Sequence, residues 1–348
     1  MKFILVFNAG STSLKYKLFS NKTSFLRLEK EGYIENLGTK TKNHKQAVRK
    51  ISKEIKNYKI DYIGHRIVHG GAKYKNLTRI NKDVLKEIKN LIPLAPLHNK
   101  PGLEVVEEAL KLFPATKSYA MFDTGFYHSL AEETRNYALP RTIVEKLKIK
   151  RYGFHGISHE FVAEKASQIL HKSLSNLNLI TVHLGGGASI TAIEQGIAKD
   201  TSMGFTPLEG LIMMTRSGDI DPAIPLWLME KGKYSLAKTK EILEKESGLY
   251  GMTKQKDMLK IIKRVREGDN RAKNAYNMYC YRVKKYIGSY RAILKDVNAL
   301  VFTGAVGAGD SLTRTTILKD LNIIKGIPVL TIPTDEEFMI ASKINNKI

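Results

Sequence analysis

Three glycine-rich stretches and four basic or acidic side chains are the parts of this sequence with chemistry in them. Residues 8–16, Asn-Ala-Gly-Ser-Thr-Ser-Leu-Lys-Tyr, follow the apolar run Phe3-Ile4-Leu5-Val6-Phe7. A hairpin needs only a two-residue turn, so this connection is longer than a turn demands. Small residues let backbone N–H groups converge on an anion, Ser11 and Ser13 add hydroxyl donors, and Lys15 adds a charge. A second stretch repeats the design: Leu179–Leu184 runs through His183 and Leu184 into Gly185-Gly186-Gly187, and Ser189–Ile193 returns. Alone, such a stretch reads first as an ordinary turn; the recurrence brings the phosphate reading level with it. The third, Gly304-Ala305-Val306-Gly307-Ala308-Gly309-Asp310-Ser311, nearly fits a P-loop. It carries Asp310 where that loop needs lysine, which repels phosphate and rules the motif out. A glycine-rich turn after a strand still lets a nucleotide approach the backbone.

Histidine and arginine gather in a few places: Gly64-His65-Arg66-Ile67-Val68-His69-Gly70-Gly71, Pro96-Leu97-His98-Asn99, and Arg151-Tyr152-Gly153-Phe154-His155-Gly156-Ile157-Ser158-His159. His155 and His159 are four apart, but Gly156 between them argues against a helix. Neither a cysteine pair nor an H-E-x-x-H motif accompanies them, so zinc is not expected. The stretch Asp200 to Gly210, continued by Thr215-Arg216-Ser217-Gly218-Asp219-Ile220-Asp221-Pro222, is too polar for a core and too long for an idle connector. Arg216 among small residues suits bidentate grip on an oxyanion. Pairing with Asp219 or Asp221 in a local turn is the competing reading.

These groups need rigid elements to hold them. Strand patterns at Phe3–Phe7, Leu14–Phe19, Tyr62–Val68, Ser118–Phe122, Leu179–Leu184, Ser189–Ile193, Ala299–Thr303 and Val329–Ile332 alternate with helical spacing at Lys82–Leu91, Leu103–Leu112, Glu160–Leu170, Ala272–Leu294 and Glu337–Asn345. Mixed elements with ligand-type loops at strand ends argue an α/β fold. The likeness of the segments starting at Phe3 and Leu179 suggests two similar domains, with a ligand in the cleft between their loops.

Composition narrows the class. The 348 residues suffice for two domains, and 43% hydrophobic content is ordinary for a soluble globular chain. No apolar run approaches a membrane span of about 20 residues. Five apolar residues before Asn8 are too few for a leader's core, so none is expected. A single cysteine, Cys280, rules out an internal disulfide and points to a reducing, cytoplasmic setting, with Cys280 packed in a helix. The net charge of +23 raises nucleic acid as a partner. Residues 40–59 hold eight Lys/Arg against one Glu, yet lysines recur along the whole chain without forming an arm. A lysine-biased surface that attracts anionic substrates is the expectation instead.

In order, NAGSTSLKY, GHRIVHGG, APLHN, FDTGF, RYGFHGISH, HLGGGAS, DTSMGFTPLEG with TRSGDIDP, and IPTDEE together resemble the acetate kinase family, nearly end to end. That family belongs to the sugar kinase/heat-shock chaperone/actin superfamily. The resemblance implies two ribonuclease-H-like domains with an interdomain cleft: residues 1–124, completed by about 337–348, and 125–336. It implies a homodimer that reversibly moves the ATP γ-phosphoryl group to acetate with Mg²⁺, giving acetyl phosphate and ADP and serving acetyl-CoA biosynthesis. No membrane partner is expected. By matched motif, Arg66 and Arg216 would grip the carboxylate or the moving phosphoryl group, His155 would stabilise its charge, and Asp123 is the family's active-site acid. Asn8 and Glu336 would hold Mg²⁺. Ser11, Ser13, Lys15, His183, Leu184, Gly185, Gly186, Gly187, Asp257, Ala305, Val306, Gly307, Ala308 and Gly309 would meet ATP. Val68, Leu97, His98, Phe154 and Pro207 would form the acetate pocket.

Acetate is ionised at pH 7, since carboxyl pKa values lie near ~4. It needs no base, only relief from repulsion as it nears a triphosphate. Asp123 is therefore expected to orient a neighbour and not to take a proton. The chain departs from the family mainly around adenosine. Gly186 stands for a usual Asn, Ala305–Gly309 lacks the usual Glu and Asn, and Leu259 stands for a usual Arg near Asp257. These departures suggest relaxed nucleotide selectivity or another donor, such as pyrophosphate. Propionate or another short-chain acid is the nearest alternative acceptor, and an inactive nucleotide-binding scaffold the alternative from another class.

Overall fold

The eight residues of β1 (Lys2–Ala9) are buried from Ile4 onward, as a strand covered on both faces must be. A computed structural model of the chain describes residues 1–23, 25–38 and 42–348; Lys40, where the basic stretch begins, lies outside them. β1 pairs antiparallel with β2 (Leu14–Thr23), which pairs with β3 (Phe25–Ile34). On its other side β1 runs parallel to β4 (Ile60–Ile67), and β4 parallel to β6 (Lys117–Phe122), with the short β5 (Thr78–Arg79) at the edge. The sheet order is β3-β2-β1-β4-β6-β5.

A second sheet follows the same plan. β7 (Leu179–Leu184) begins an antiparallel run with β8 (Ala188–Glu194) and β9 (Ile197–Thr201), and pairs in parallel with β10 (Ala299–Thr303), which carries β11 (Val329–Thr331). The order is β11-β10-β7-β8-β9. In both sheets a central strand has a hairpin partner on one side and parallel strands on the other. The parallel strands therefore end at one edge, where open α/β sheets place their ligands.

The chain separates into two units: Met1–His128 with Phe154–Phe161 and Asp335–Ile348, and Ser129–Gly153 with Val162–Thr334. In the first, Leu5, Phe7 and Ile63 pack with Val48 and Ile51 of helix His44–Glu54 and Val105 and Ala109 of helix Pro96–Leu112. Helix Glu336–Asn345 also belongs to this unit, buried through Met339, Ile340 and Ile344. In the second, helix Asn270–Ile293 buries Ala272, Ala275, Tyr276, Tyr279, Cys280, Val283, Ile287 and Tyr290, a stripe at three- and four-residue spacing. Cys280 lies in that stripe, and burial pushes its thiol up to about 12. Among the described residues no helix is long and apolar enough to cross a membrane.

The structure corrects several expectations. β1 extends through Asn8 and Ala9, so the opening connection is only Gly10–Ser13, closed by the Gly10 N–H donating to the Ser13 carbonyl at 2.9 Å. Ladder partners on both sides of Asn8 keep it extended. Leu97, His98 and Asn99 lie in the first turn of a helix that starts at Pro96, where a missing N–H costs nothing. A helix also begins at Gly156, which puts His159 in its first turn and leaves His155 just outside. The stretch Gly304–Gly309 is a short helix and not a turn. Gly304 at φ +79° redirects the chain beside the Leu184 carbonyl, and Ala305 and Ala308 then favour helix.

Candidate active site

In the first unit, β1, β4 and β6 end side by side, and each end supplies one polar residue. Asn8 pairs with Arg66 in the ladder, and Asp123 directly follows β6. Arg66 donates from Nε and Nη2 to both oxygens of Asp123 (3.1 and 2.7 Å) and from Nη1 to Asn8 Oδ1 (3.1 Å). Asn8 Nδ2 in turn donates to Glu337 Oε1 at 2.5 Å. The guanidinium can only donate and the carboxylate can only accept, so the Asn8 amide has one permissible orientation. Burial alone would lower the Arg66 pKa; Asp123 and then Glu336 outweigh it, and the pKa is raised. Burial, then Glu336, pushes the Glu337 carboxyl up, with the Asn8 hydrogen bond and Lys15 opposing. Helix Glu336–Asn345, which carries both glutamates, is capped by Asp335, and Lys17 of β2 holds Asp335 at 2.7 Å. Lys15 is exposed at the start of β2, its Nζ 5.7 Å from the Tyr33 ring centre.

The segment Phe154–Phe161 docks on the residues after β6. Tyr127 Oη donates to the Phe154 carbonyl at 2.9 Å, and Gly156 lies so close to the Asp123 carbonyl that a methyl group there would collide with it. His155 adopts φ +57°, an uncommon conformation for a side chain of its size. Val68 and His69 follow β4. The Asn99 side chain accepts from the His69 N–H and donates to the His69 carbonyl, both at 3.0 Å, which ties this segment to the helix turn bearing Leu97 and His98. Phe154 meets the His69 ring edge-on at 5.5 Å.

In the second unit the glycine stretches meet by backbone. The Met214 N–H donates to the Gly186 carbonyl at 3.2 Å, linking Gly185–Gly187 to the segment that carries Arg216. The helix Gly304–Gly309 sits against the end of β7: a methyl group on Gly304 would come 2.5 Å from the Leu184 carbonyl. His183 closes β7 beside Thr303 and Ser189. Arg216 Nη1 donates to the Pro207 carbonyl at 3.3 Å. Burial pulls its pKa down, with Glu244 opposing. Asp219 bonds the Gly210 N–H and the Tyr286 hydroxyl, and Asp221 caps Ala223. Asp257 is an exposed helix cap that accepts from the Leu259 and Lys260 N–H groups. Asp310 likewise caps helix Ser311–Leu318.

So Asn8, Arg66 and Asp123 form one hydrogen-bonded chain, with His155 beside it and Val68, Leu97, His98 and Phe154 on segments tied to it. Arg216, Pro207, His183–Gly187 and Ala305–Gly309 come together in the other unit. Ser11 and Ser13 lie within the tight turn Gly10–Ser13 after β1. Asp257 bonds its own helix start and not the glycine stretches. The sequence reading missed Glu337, Asn99 and Gly156. Glu337 stood inside the motif IPTDEE, Asn99 ended APLHN, and Gly156 sat next to His155, so the signals were present without their partners. Among the described residues no group of three or more His, Cys, Asp or Glu is arranged to hold a metal ion.

Comparison with known proteins is consistent along the whole chain. The model of the acetokinase family matches residues 3–327. An acetate kinase from Sulfurovum sp. is 42% identical over 383 residues, covering 97% of this chain and 96% of that protein. The crystal structure of Porphyromonas gingivalis acetate kinase superposes with a TM-score of 0.87 at 36% identity, covering 98% of each chain. A propionate kinase from Francisella tularensis superposes with a TM-score of 0.89 at 34% identity, covering 99% of each.

Proposed function

We propose a function from one premise: this chain belongs to the acetokinase family, whose model spans it from residue 3 to residue 327. It is thus a kinase with the two-domain actin-like fold, a phosphotransferase whose acceptor is a carboxyl group. The reaction we assign is reversible transfer of the ATP γ-phosphoryl group to acetate. An acetate oxygen attacks phosphorus, the bond to the bridging oxygen breaks, and the electron pair leaves on ADP. Acetate arrives ionised, so the protein's task is to neutralise and align.

The chain from Asp123 through Arg66 to Asn8 carries this reading. A guanidinium has five N–H donors; the two bonds to Asp123 and the one to Asn8 leave N–H groups for substrate oxygens. Asp123 orients Arg66 and is not a base. Val68, Leu97, His98, Phe154 and Pro207 take the acyl group, and His155 and Arg216 meet the phosphoryl group. Ser11, Ser13, Lys15, Asp257, residues 183–187 and residues 305–309 meet ATP. We take the two units as the domains: Met1–His128 with Phe154–Phe161 and Asp335–Ile348, and Ser129–Gly153 with Val162–Thr334.

Mg²⁺ fits the donor set. It takes one or two protein oxygens and otherwise keeps water and phosphate, so a cage of three acidic residues is not required. Asn8 Oδ1, near the end of β1, accepts from Arg66 and keeps a second lone pair, and the buried Glu336 carboxylate opens helix Glu336–Asn345; these would be such oxygens. When bound, the ion would lower the charge of the phosphates.

A homodimer is supported by helix Ala223–Glu230, which buries none of its residues although Leu226 and Trp227 are apolar and each 62% exposed. We place the enzyme in the cytoplasm, in acetyl-CoA biosynthesis, with nucleic acid and membrane outside its partners. Propionate is the second reading, favoured by the likeness to a propionate kinase; a methylene more or less changes selectivity by only ~1–3 kcal/mol. One experiment tests the assigned reaction: acyl-hydroxamate formation with acetate, propionate and butyrate against ATP, GTP and pyrophosphate. Acetate with ATP should give the highest kcat/KM. No product with any pair would sink the assignment in favour of an inactive scaffold, and a preference for GTP or pyrophosphate would move the donor.

A further inference from the structure

Between Gly210 and Asp219 the chain of the second unit closes on itself. The Asp219 N–H donates to the Gly210 carbonyl at 2.9 Å, and the Gly210 N–H donates to Asp219 Oδ1 at 2.7 Å. Met213 and Arg216 lie inside the closed segment. The Met213 N–H donates to the Arg216 carbonyl at 3.2 Å, and the Arg216 guanidinium reaches back to the Pro207 carbonyl. The other Asp219 oxygen accepts from the Tyr286 hydroxyl at 2.7 Å and faces Arg282 Nη1 at 3.4 Å. Arg282 also donates to the Asp219 carbonyl at 3.1 Å. Tyr286 and Arg282 are one turn apart on helix Asn270–Ile293, whose other face is core. A single carboxylate therefore ties the segment bearing Arg216 to the longest helix of the unit. Burial, and next to it Asp219, pushes the Tyr286 phenol well above its ordinary range, so it stays a donor.

We propose that Asp219, clasped by Tyr286 and Arg282, is the positioning residue that sets Arg216 for phosphoryl transfer. This rests on the role assigned to Arg216 above. Asp219 and Arg282 line an open groove of about 390 Å³ with Met278 and Ile220. The clasp is therefore solvated on its far side, and changing it opens no hole in the core. In Asp219→Asn the new amide could still accept from Gly210 but would turn an N–H₂ group toward Arg282, donor against donor.

The test is a double-mutant cycle in turnover, measured as acetyl hydroxamate from acetate and ATP. Asp219→Asn should lower kcat about 10- to 100-fold, the scale of a small misplacement, with the KM for ATP nearly unchanged. Arg216→Ala should lower kcat further, and adding Asp219→Asn to it should change kcat less than about 2-fold, because the clasp acts only through Arg216. An equal loss from Asp219→Asn in both backgrounds overturns the proposal and leaves the role of Arg216 standing. Undiminished turnover in Arg216→Ala overturns that role and the proposal with it. Tyr286→Phe keeps the carboxylate and removes one bond, so it serves if Asp219→Asn does not fold. It should lower kcat about 3-fold or more at an unchanged melting midpoint, and wild-type kcat in this variant overturns the clasp.

Discussion

The two units share a strand plan yet hold their candidate residues by opposite means. In the first, the ends of three parallel strands present side chains that bond one another, from Glu337 through Asn8 and Arg66 to Asp123. In the second, the glycine stretches are held by backbone, and side chains enter at the Asp219 clasp: the Gly186 carbonyl meets the Met214 N–H, and Gly304 approaches the Leu184 carbonyl. A buried chain of charges is rigid because each member would be unsatisfied without its neighbour. A backbone cradle is indifferent to side-chain identity but intolerant of added atoms where it is tight. The first suits a reaction centre that must neutralise charge, the second a polyphosphate that needs N–H groups and room.

The largest effects should separate these two designs. Asp123→Ala leaves the Arg66 guanidinium, 16% exposed, beside a lost partner that was 1% exposed. It should cost about 3–5 kcal/mol of stability as well as turnover. Arg216→Ala removes a cation already disfavoured by burial. It should lower kcat about 10³-fold or more with little change in melting midpoint. Calorimetry beside steady-state kinetics reads both, and equal destabilisation by the two variants would break the contrast.

Acid should act on the first unit. His65 is wholly buried, stacked on Phe7 at 5.7 Å, with neither ring nitrogen hydrogen-bonded, and burial lowers its pKa to about 3. The unfolded chain binds this proton near pH 6.5 and the folded chain only near 3. The stability it confers is thus present above pH 6.5 and is lost progressively as pH falls toward 3, by up to roughly 5 kcal/mol. Hydrogen exchange followed by mass spectrometry at pH 7 and pH 4.5 should show protection falling first in the first unit. His65→Leu should flatten that pH dependence, and an unchanged slope would remove His65 as its cause.

Glycine substitutions sharpen the comparison at smaller cost. Gly156→Ala drives a methyl group into the Asp123 carbonyl and should destabilise by about 2–4 kcal/mol. Gly186→Ala meets nothing within 4 Å and should shift stability by less than about 0.5 kcal/mol, with an effect confined to nucleotide KM. Thermal melts of the two variants, run side by side, check the ranking.

Much of this design was legible in residues. The apolar runs around β1, β4, β7 and β10 located the sheets, because a strand buried on both faces reads as continuous hydrophobics. β3 was not foreseen: Arg27, Glu29 and Glu31 alternate as a strand's outer face would, but Lys30 and Gly32 interrupt the other face and the pairing with β2 shifts register between Leu28 and Lys30. Helix His44–Glu54 hid inside a lysine-rich stretch whose four inward residues, His44, Ala47, Val48 and Ile51, are the only sign of its buried side. Arg66, Asp123 and Asn8 were named from the sequence because each stands in a motif that resembles the acetate kinase family, GHRIVHGG, FDTGF and NAGSTSLKY.

Residue order alone settled which side chains were available: Arg216 among small neighbours, Arg66 beside a histidine at a strand end, an aspartate ending a strand, and glycines where a phosphate would need room. Pairing came only with the tertiary structure. That Arg66 takes both oxygens of Asp123, that Glu337 turns the Asn8 amide, and that Asp219 bonds Tyr286 and not its neighbour in the turn all depend on strands and helices distant in sequence. Local spacing dictates what a segment does with its own backbone; which partner answers a charge is decided by the elements packed against it.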